Sequence, residues 1–320
     1  MSDALLKIRN LSKHFHTGSG TVHAVEDVSF DIPRGAIMGL VGESGSGKTT
    51  LGRTLLRLVE PSVGQVIFDG TDITTLPDRD MREMRRRMQI IFQDPASSLN
   101  PRLKVGQLIA EGLKAYGVGT KRDRRDRVAA LLEEVGLQAD HMDRHAHAFS
   151  GGQRQRIGIA RALALEPEFI VADESVSALD VSIQAQVLNL LLDLRESRNL
   201  TMLFIAHDLS VVNYLCDQVA VMYLGRMMEL GPVGTVHRAS AHPYTRALNS
   251  AIPLPDPRAA RQRVALTGDI PSPLAPPSGC VFRTRCAFAD TLCATGPHEP
   301  HALAADHLSY CKRLDLLDDR

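Results

Sequence analysis

Short apolar runs, separated by glycine-rich or charged stretches, recur along most of the chain. Leu6 and Ile8 alternate with Lys7 and Arg9, and Val28, Phe30 and Ile32 alternate with Ser29 and Asp31. This period of two predicts strands across residues 5–32, interrupted by a glycine-containing loop at 14–21, with Phe15 at the end of the first strand. Ala36-Ile-Met-Gly-Leu-Val41, Phe169-Ile-Val-Ala172 and Thr201-Met-Leu-Phe-Ile-Ala206 are continuous apolar runs of buried-strand length. Residues 64–69 and 88–92 read as further strands, and 219–223 with 226–230, split by Gly225, as a closing hairpin. Helical character marks Leu51–Leu58, Val128–Val135 and Arg154–Leu165. Ile183, Val187, Leu190, Leu191 and Leu194 fall on one helical stripe. The pattern predicts an α/β fold whose core is interrupted by a mostly helical insertion over about 103–165.

The 320 residues suffice for one large or two modest domains with an ample core. Lysines and arginines number 37, as do aspartates and glutamates, so the net charge is zero and general affinity for nucleic acid is not expected. The mixed-charge runs Arg82–Arg87 and Lys121–Arg127 read as solvated helix faces. The N-terminal Met-Ser-Asp-Ala-Leu-Leu-Lys lacks the long apolar core of a secretory signal, and no apolar run approaches the roughly 18 residues of a membrane helix. A cytosolic protein is expected, with any membrane role exercised through a partner.

The chemistry begins where the strand at 36–41 runs into Gly42-Glu-Ser-Gly-Ser-Gly-Lys-Thr49. Strand, glycine loop and helix form the context of a phosphate-binding loop. Gly42, Ser44, Gly45 and Gly47 belong to a loop whose N–H groups turn onto phosphates at a helix N-terminus. Lys48 is expected at the β- and γ-phosphates, the Thr49 hydroxyl on Mg²⁺, and Thr50 beside them. Gln93 ends a strand and precedes the turn-rich Asp94-Pro-Ala-Ser-Ser-Leu-Asn-Pro-Arg102.

Ser150-Gly-Gly-Gln153 opens the helix at 154–165 with the spacing of a capping box. The adjacent Gly151 and Gly152 leave the helix entrance bare for close approach to its N–H groups. The run at 169–172 ends in Asp173-Glu174, a carboxylate pair at the strand end where α/β sheets place ligands. Asp173 is the expected Mg²⁺ partner, and Glu174 is placed to polarise water against a γ-phosphate. Asp180 follows in a turn. His207 closes the next strand and is expected to contact the γ-phosphate.

Taken in order, Gly42–Thr49, Gln93, Ser150–Gln153, Asp173-Glu174, Asp180 and His207 resemble the Walker A loop, Q-loop, signature, Walker B strand, D-loop and switch histidine of ATP-binding cassette ATPases. The resemblance spans about 4–240, and Phe15 looks like the aromatic residue on which that family's adenine stacks. It implies a phosphate-loop ATPase core with an antiparallel β subdomain over 1–240. Gln93–Arg102, Phe149–Arg156, Ser177–Ser182 and His242-Pro-Tyr-Thr245 resemble more closely the ATPase subunits of oligopeptide, dipeptide and nickel importers. Two departures are Phe149, where the wider superfamily has leucine, and Ser175, where proline is common.

The resemblance implies ATP and Mg²⁺ as cofactors and ATP hydrolysis with Glu174 as general base. It implies a head-to-tail pairing with an identical or homologous second ATPase, two transmembrane permease subunits and an extracytoplasmic solute-binding protein. It places the chain peripherally on the cytoplasmic face of the inner membrane, with no nucleic-acid partner. The solute itself is not encoded in this chain.

Residues 241–320 form a separate extension on this reading. Seven prolines in 253–277 exclude a continuous helix and read as a crossing segment or linker. Cys280, Cys286, Cys293 and Cys311 follow, separated by five, six and seventeen residues. Stable disulfides are disfavoured in the cytosol. Zinc sites favour closer pairs, whereas four thiolates suit an iron–sulfur cluster. A [4Fe-4S] cluster, which some members of the resembled importer family look to carry, four structural thiols, and zinc are the readings left open, in that order. Cys216 reads as a small buried hydrophobe. Competing assignments are a cassette ATPase acting on DNA or ribosomes, and a regulatory nucleotide-binding module. The first would bring a coiled-coil split or a second cassette, and the second a damaged catalytic set. Neither feature is present.

Overall fold

The computed structural model describes residues 4–177, 179–252, 264 and 266–316. The elements are, in chain order, β1 (Ala4–Thr17), β2 (Gly20–Pro33), β3 (Ile37–Val41), α1 (Lys48–Leu55), β4 (Val63–Phe68), β5 (Thr71–Asp72), α2 (Asp78–Arg87), β6 (Met88–Ile91) and α3 (Pro95–Ser98). Next come α4 (Val105–Ala115), α5 (Lys121–Glu134), α6 (Gly151–Leu163), β7 (Phe169–Asp173), α7 (Val181–Arg198), β8 (Thr201–Ala206) and α8 (Leu209–Leu215). The chain closes with β9 (Gln218–Tyr223), β10 (Arg226–Pro232), α9 (Val233–Arg238), α10 (Pro243–Ser250), α11 (Thr291–Ala294), β11 (His301–Ala304) and β12 (His307–Ser309). They build two compact units, one of residues 1–75 with 204–320 and one of 76–203, the chain passing between them inside β8.

In the first unit, β1 pairs antiparallel with both β2 and β4, giving the strand order β2-β1-β4-β5. The β1–β2 ladder runs from Ala4 to Thr17, closed by the two-residue turn Gly18-Ser19. The loop expected at 14–21 is therefore strand except at its tip, and Phe15 lies within β1 rather than at its end. His14 faces His23 in register, and His14 Nε2 and His23 Nδ1 each lie 2.7 Å from Glu26 Oε2.

A second sheet of this unit carries β11-β12-β10-β9-β3. All five residues of β3 are buried, so it is a central strand, parallel to β9. The β9–β10 hairpin turns through Leu224 and Gly225, both at positive φ (46° and 77°), the geometry that matches the twist of a two-residue hairpin. Gly225 is the residue that the sequence placed between the two strands, and its N–H donates to Ser46 O (3.0 Å). Cys216 is buried against the Gly39 position of β3.

The C-terminal residues are joined to this sheet. β12 pairs with β10 through Glu229↔Ser309 and Leu230↔Leu308. Glu229 is fully buried (0% exposed), and its charge is met by the N–H groups of Ala241 and His242 (2.8 and 3.0 Å) and by His307 Nε2 (2.9 Å). Buried carboxylates persist when they are hydrogen-bonded on this scale. Of the proline-rich stretch, residues 253–263 and 265 lie outside the described residues.

The second unit pairs β6 and β7 in parallel, Met88 against Phe169 through Ile91 against Ala172. Its helices α4, α5 and α6 pack on one another through Leu108, Leu113, Leu131, Leu132, Ile157 and Leu163, all at most 3% exposed. The predicted stripe of α7 is buried at Val187, Leu190, Leu191 and Leu194. Arg198 at its end forms a forked pair with Glu134 of α5 (2.6 Å to each oxygen). In the arginine run, Arg82 and Arg86 are exposed, but Arg87 is held by Glu168 (2.5 and 3.0 Å).

Candidate functional site

In the first unit the phosphate loop leaves β3 and enters α1. Gly47 caps α1 in the left-handed region (φ 97°), and a Cβ there would stand 2.1 Å from Ala24 O, so only glycine fits. Gly45 is also left-handed (φ 78°), yet a Cβ there would meet nothing within 4 Å; its backbone faces open space where an anion can approach. Lys48 is 4% exposed and folds back on the loop, its ammonium donating to Gly42 O (2.8 Å), Glu43 O (3.0 Å) and Ser46 Oγ (3.4 Å). A positive charge is thus stored at the mouth of a helix N-terminus. The same unit carries Phe15, 39% exposed with Lys13 Nζ 4.8 Å from its ring centroid, and the exposed His207 just after β8. Thr49 and Thr50 stand in the first turn of α1.

In the second unit β7 delivers Asp173, 2% exposed, at its C-terminal end. Glu174 follows in the left-handed region (φ 44°), where the chain turns sharply, and its carbonyl accepts from Ser177 N–H and Oγ. The turn presents the Glu174 carboxylate to Gln93 at the end of β6, and Gln93 Nε2 donates to Oε2 at 2.7 Å. Two residues read separately from the sequence are thereby one hydrogen-bonded pair. Ser175 Oγ is buried with no partner among the described residues. Asp180 precedes α7 and is exposed.

Ser150 caps α6 reciprocally: its Oγ accepts Gln153 N–H (3.3 Å), and its N–H donates to Gln153 Oε1 (3.1 Å). Phe149 is buried beneath the guanidinium of Arg144 and against the edge of His141. The two glycines have different reasons. A Cβ at Gly152 would stand 2.3 Å from Ile183 Cγ2 of α7, whereas one at Gly151 would make only an ordinary 3.6 Å contact with Leu179. Only Gly151 fits the open-entrance explanation; Gly152 lets two helices approach. Gly152→Ala is expected to cost about 1–3 kcal/mol from overpacking, read as a lower urea midpoint, while Gly151→Ala leaves the midpoint within error. Equal effects of the two would remove this distinction.

The four C-terminal cysteines are free thiols; Cys280, Cys293 and Cys311 are buried and Cys286 is half-buried. Cys280 N–H donates to Cys293 O (2.8 Å), and Cys311 lies near enough to Cys280, Cys286 and Cys293 to interact with them electrostatically. Burial pushes the Cys311 thiol up to about 12 and raises Cys280 and Cys286 as well. The Arg313 N–H donates to Cys311 Sγ (3.4 Å), and backbone hydrogen bonding lowers the Cys280 and Cys286 thiols against the dominant effect of burial. Among the described residues these four sulfurs do not draw together at single-ion spacing, so the soft all-sulfur donor set suits a larger iron–sulfur cluster, whose charge offsets the burial cost, better than one metal ion.

Sequence reasoning missed one constellation. The phosphate-loop residue Glu43 donates its N–H to Tyr244 Oη (2.8 Å), and its carboxylate takes both arms of Arg285 (2.6 and 3.2 Å). The His242-Pro-Tyr-Thr245 motif builds the first of these contacts. Burial pushes the His242 imidazole down to about 3, so it stays neutral and its Nδ1 accepts Tyr244 N–H (3.1 Å), capping α10. Pro243 starts that helix, and Tyr244 is aimed at Glu43.

The family profile described as ABC transporter matches residues 25–177, and that of the oligopeptide/dipeptide transporter C-terminal region matches 228–293. A putative peptide import ATP-binding protein of Brucella ovis is 59% identical over 309 residues, covering 97% of this chain and 98% of the relative. The oligopeptide transport ATP-binding protein OppF of Bacillus subtilis is 55% identical over 266 residues, covering 82% and 87%. Among solved structures, a dimeric ATP-binding cassette in a post-hydrolysis state with ADP and phosphate aligns with TM-score 0.66 at 28% identity, over 71% of this chain and 98% of the other.

Proposed function

The chain belongs to the ABC transporter family and carries the C-terminal region of oligopeptide/dipeptide transporters, and from that premise we propose that it hydrolyses ATP to drive import of peptides or similar small solutes. The observation that carries the catalytic assignment is the Gln93–Glu174 pair at the end of buried β7. Gln93 donates to the carboxylate and so orients it toward an attacking water, whose proton it would take. Lys48 gives the phosphates an ammonium held at the loop by Gly42 O, Glu43 O and Ser46 Oγ, and a charge-assisted bond to an anionic phosphate is stronger than those to neutral oxygens. Phe15 offers an exposed face for the adenine. Thr49, Asp173 and Gln93 are the residues to hold Mg²⁺, which neutralises phosphate charge when bound. His207 is the proposed γ-phosphate contact, and Asp180 stands at the dimer face.

Ser150, Gly151, Gly152 and Gln153 are assigned to the nucleotide of a second ATPase subunit, identical or homologous, in a head-to-tail pair. Among the described residues no helix is long and apolar enough to cross a membrane. Translocation is assigned to membrane permease subunits, with the chain on the cytoplasmic face beside them and a solute-binding protein on the other side. Cys280, Cys286, Cys293 and Cys311 are assigned to a [4Fe-4S] cluster, supported by four free thiols close enough to interact and by the Arg313 N–H at Cys311 Sγ. Purified in detergent from its native membrane, the chain is expected to bring down two permeases and no nucleic acid. Prepared without oxygen, it is expected to be brown, with about four irons per chain. Co-purified nucleic acid without permeases would sink the import assignment, and colourless, iron-free protein the cluster.

A further inference from the structure

Arg285 stands in the cysteine segment, one residue before Cys286, yet its guanidinium ends on the phosphate loop 242 residues earlier. The side chain is only 8% exposed and its partner Glu43 25%. Two parallel N–H···O contacts form the fork, and a third reaches Tyr223 Oη (3.4 Å). Tyr223, Tyr244 and Phe282 pack ring on ring around it, centroids 4.9–5.3 Å apart. Glu43 is held at three points: its N–H by Tyr244, its carboxylate by Arg285, and its carbonyl by the Lys48 ammonium (3.0 Å). The residue that fixes the loop's second position is thus bonded on one side to the C-terminal extension and on the other to the lysine that meets phosphate.

We propose that Arg285 and Tyr244 are positioning residues for the nucleotide site, by which the C-terminal extension sets the conformation of the phosphate loop through Glu43. A forked guanidinium fixes both the position and the plane of a carboxylate, which a point charge does not. With Glu43 released, the loop carbonyls that cradle Lys48 lose their fixed arrangement and its N–H groups lose their shared aim. The extension is then a working part of the ATP site. The inference rests on the assignment of Gly42–Thr49 to ATP.

The test is the affinity of the full chain for a fluorescent N-methylanthraniloyl ATP, together with its thermal midpoint. Arg285→Met is expected to weaken binding about tenfold or more. Tyr244→Phe removes one hydroxyl without changing the packed ring, so it folds, and is expected to weaken binding several-fold. Glu43→Arg combined with Arg285→Glu is expected to recover affinity over Arg285→Met. Arg313→Met breaks ion pairs to Asp290 and Asp315 in the same extension without touching the loop, and is expected to lower the midpoint but leave affinity unchanged. Unchanged affinity in Arg285→Met and Tyr244→Phe overturns the inference, as does an equal loss in Arg313→Met. A wild-type chain that binds no nucleotide overturns the ATP assignment along with it.

Discussion

Glu174→Gln is expected to leave ATP bound and to lower its hydrolysis by roughly two to four orders of magnitude, the contribution of a positioned general base. The substitution keeps the size and shape of the side chain and removes its capacity to take a proton. It also keeps the local structure. The backbone of residue 174 is set by the left-handed turn and by its carbonyl bonds to Ser177, neither of which involves the carboxylate. Gln93 Nε2 donates to Oε2 at 2.7 Å, and a glutamine at 174 still offers an amide oxygen to it. The groups assigned to the phosphates, Lys48 and the loop N–H groups, are untouched. Phosphate release and nucleotide affinity, measured on the same preparation, separate the two effects. Hydrolysis near the wild-type rate would show that the proton goes elsewhere and would remove Glu174 from its role.

What could be read from the sequence was what is decided locally. Ile37–Val41 and Thr201–Ala206 are buried along their whole length because continuous apolar runs have no polar face to offer water. Ser150 and Gln153 form their reciprocal cap because it needs only a spacing of three residues. The hairpin at Gly225 was visible because its turn demands positive φ. Readings failed where distant chain decides. Strand β1 runs on through His14–Thr17 because β2 is there to pair with it. Gly152 is required by Ile183 of another helix. The pairing of β12 with β10 and the reach of Arg285 to Glu43 join residues that no local pattern relates. A glutamate inside a glycine loop, with arginine beside a cysteine far downstream, carries no periodicity or spacing. The one available signal was charge: Glu43 is an acid in a loop that binds anions, and it calls for a partner cation.

Ser150→Arg is expected to abolish most hydrolysis while leaving ATP on this chain's own phosphate loop. Ser150 Oγ is already engaged with Gln153 N–H, so the donors proposed to meet a phosphate at this helix start are chiefly backbone, at Gly151 and Gly152. Those first N–H groups have no carbonyl of their own helix to bond, and the helix dipole adds to their pull on an anion. A Cβ at Gly151 meets only Leu179 at 3.6 Å, so the approach is open. An arginine at the cap position fills it. Loss of the cap costs about 1 kcal/mol, too little to unfold the unit, so a defect larger than that belongs to the site. Removing such preorganised donors lowers turnover by roughly two to three orders of magnitude. The decisive readout is which chain keeps its nucleotide. With an azido-ATP photolabel in the assembled transporter, label is expected to remain on this chain, carried by Lys48 and its loop, while hydrolysis at the facing site stops. Loss of label from this chain itself would mean that Ser150 and Lys48 serve the same nucleotide, and the head-to-tail pairing would have to be abandoned.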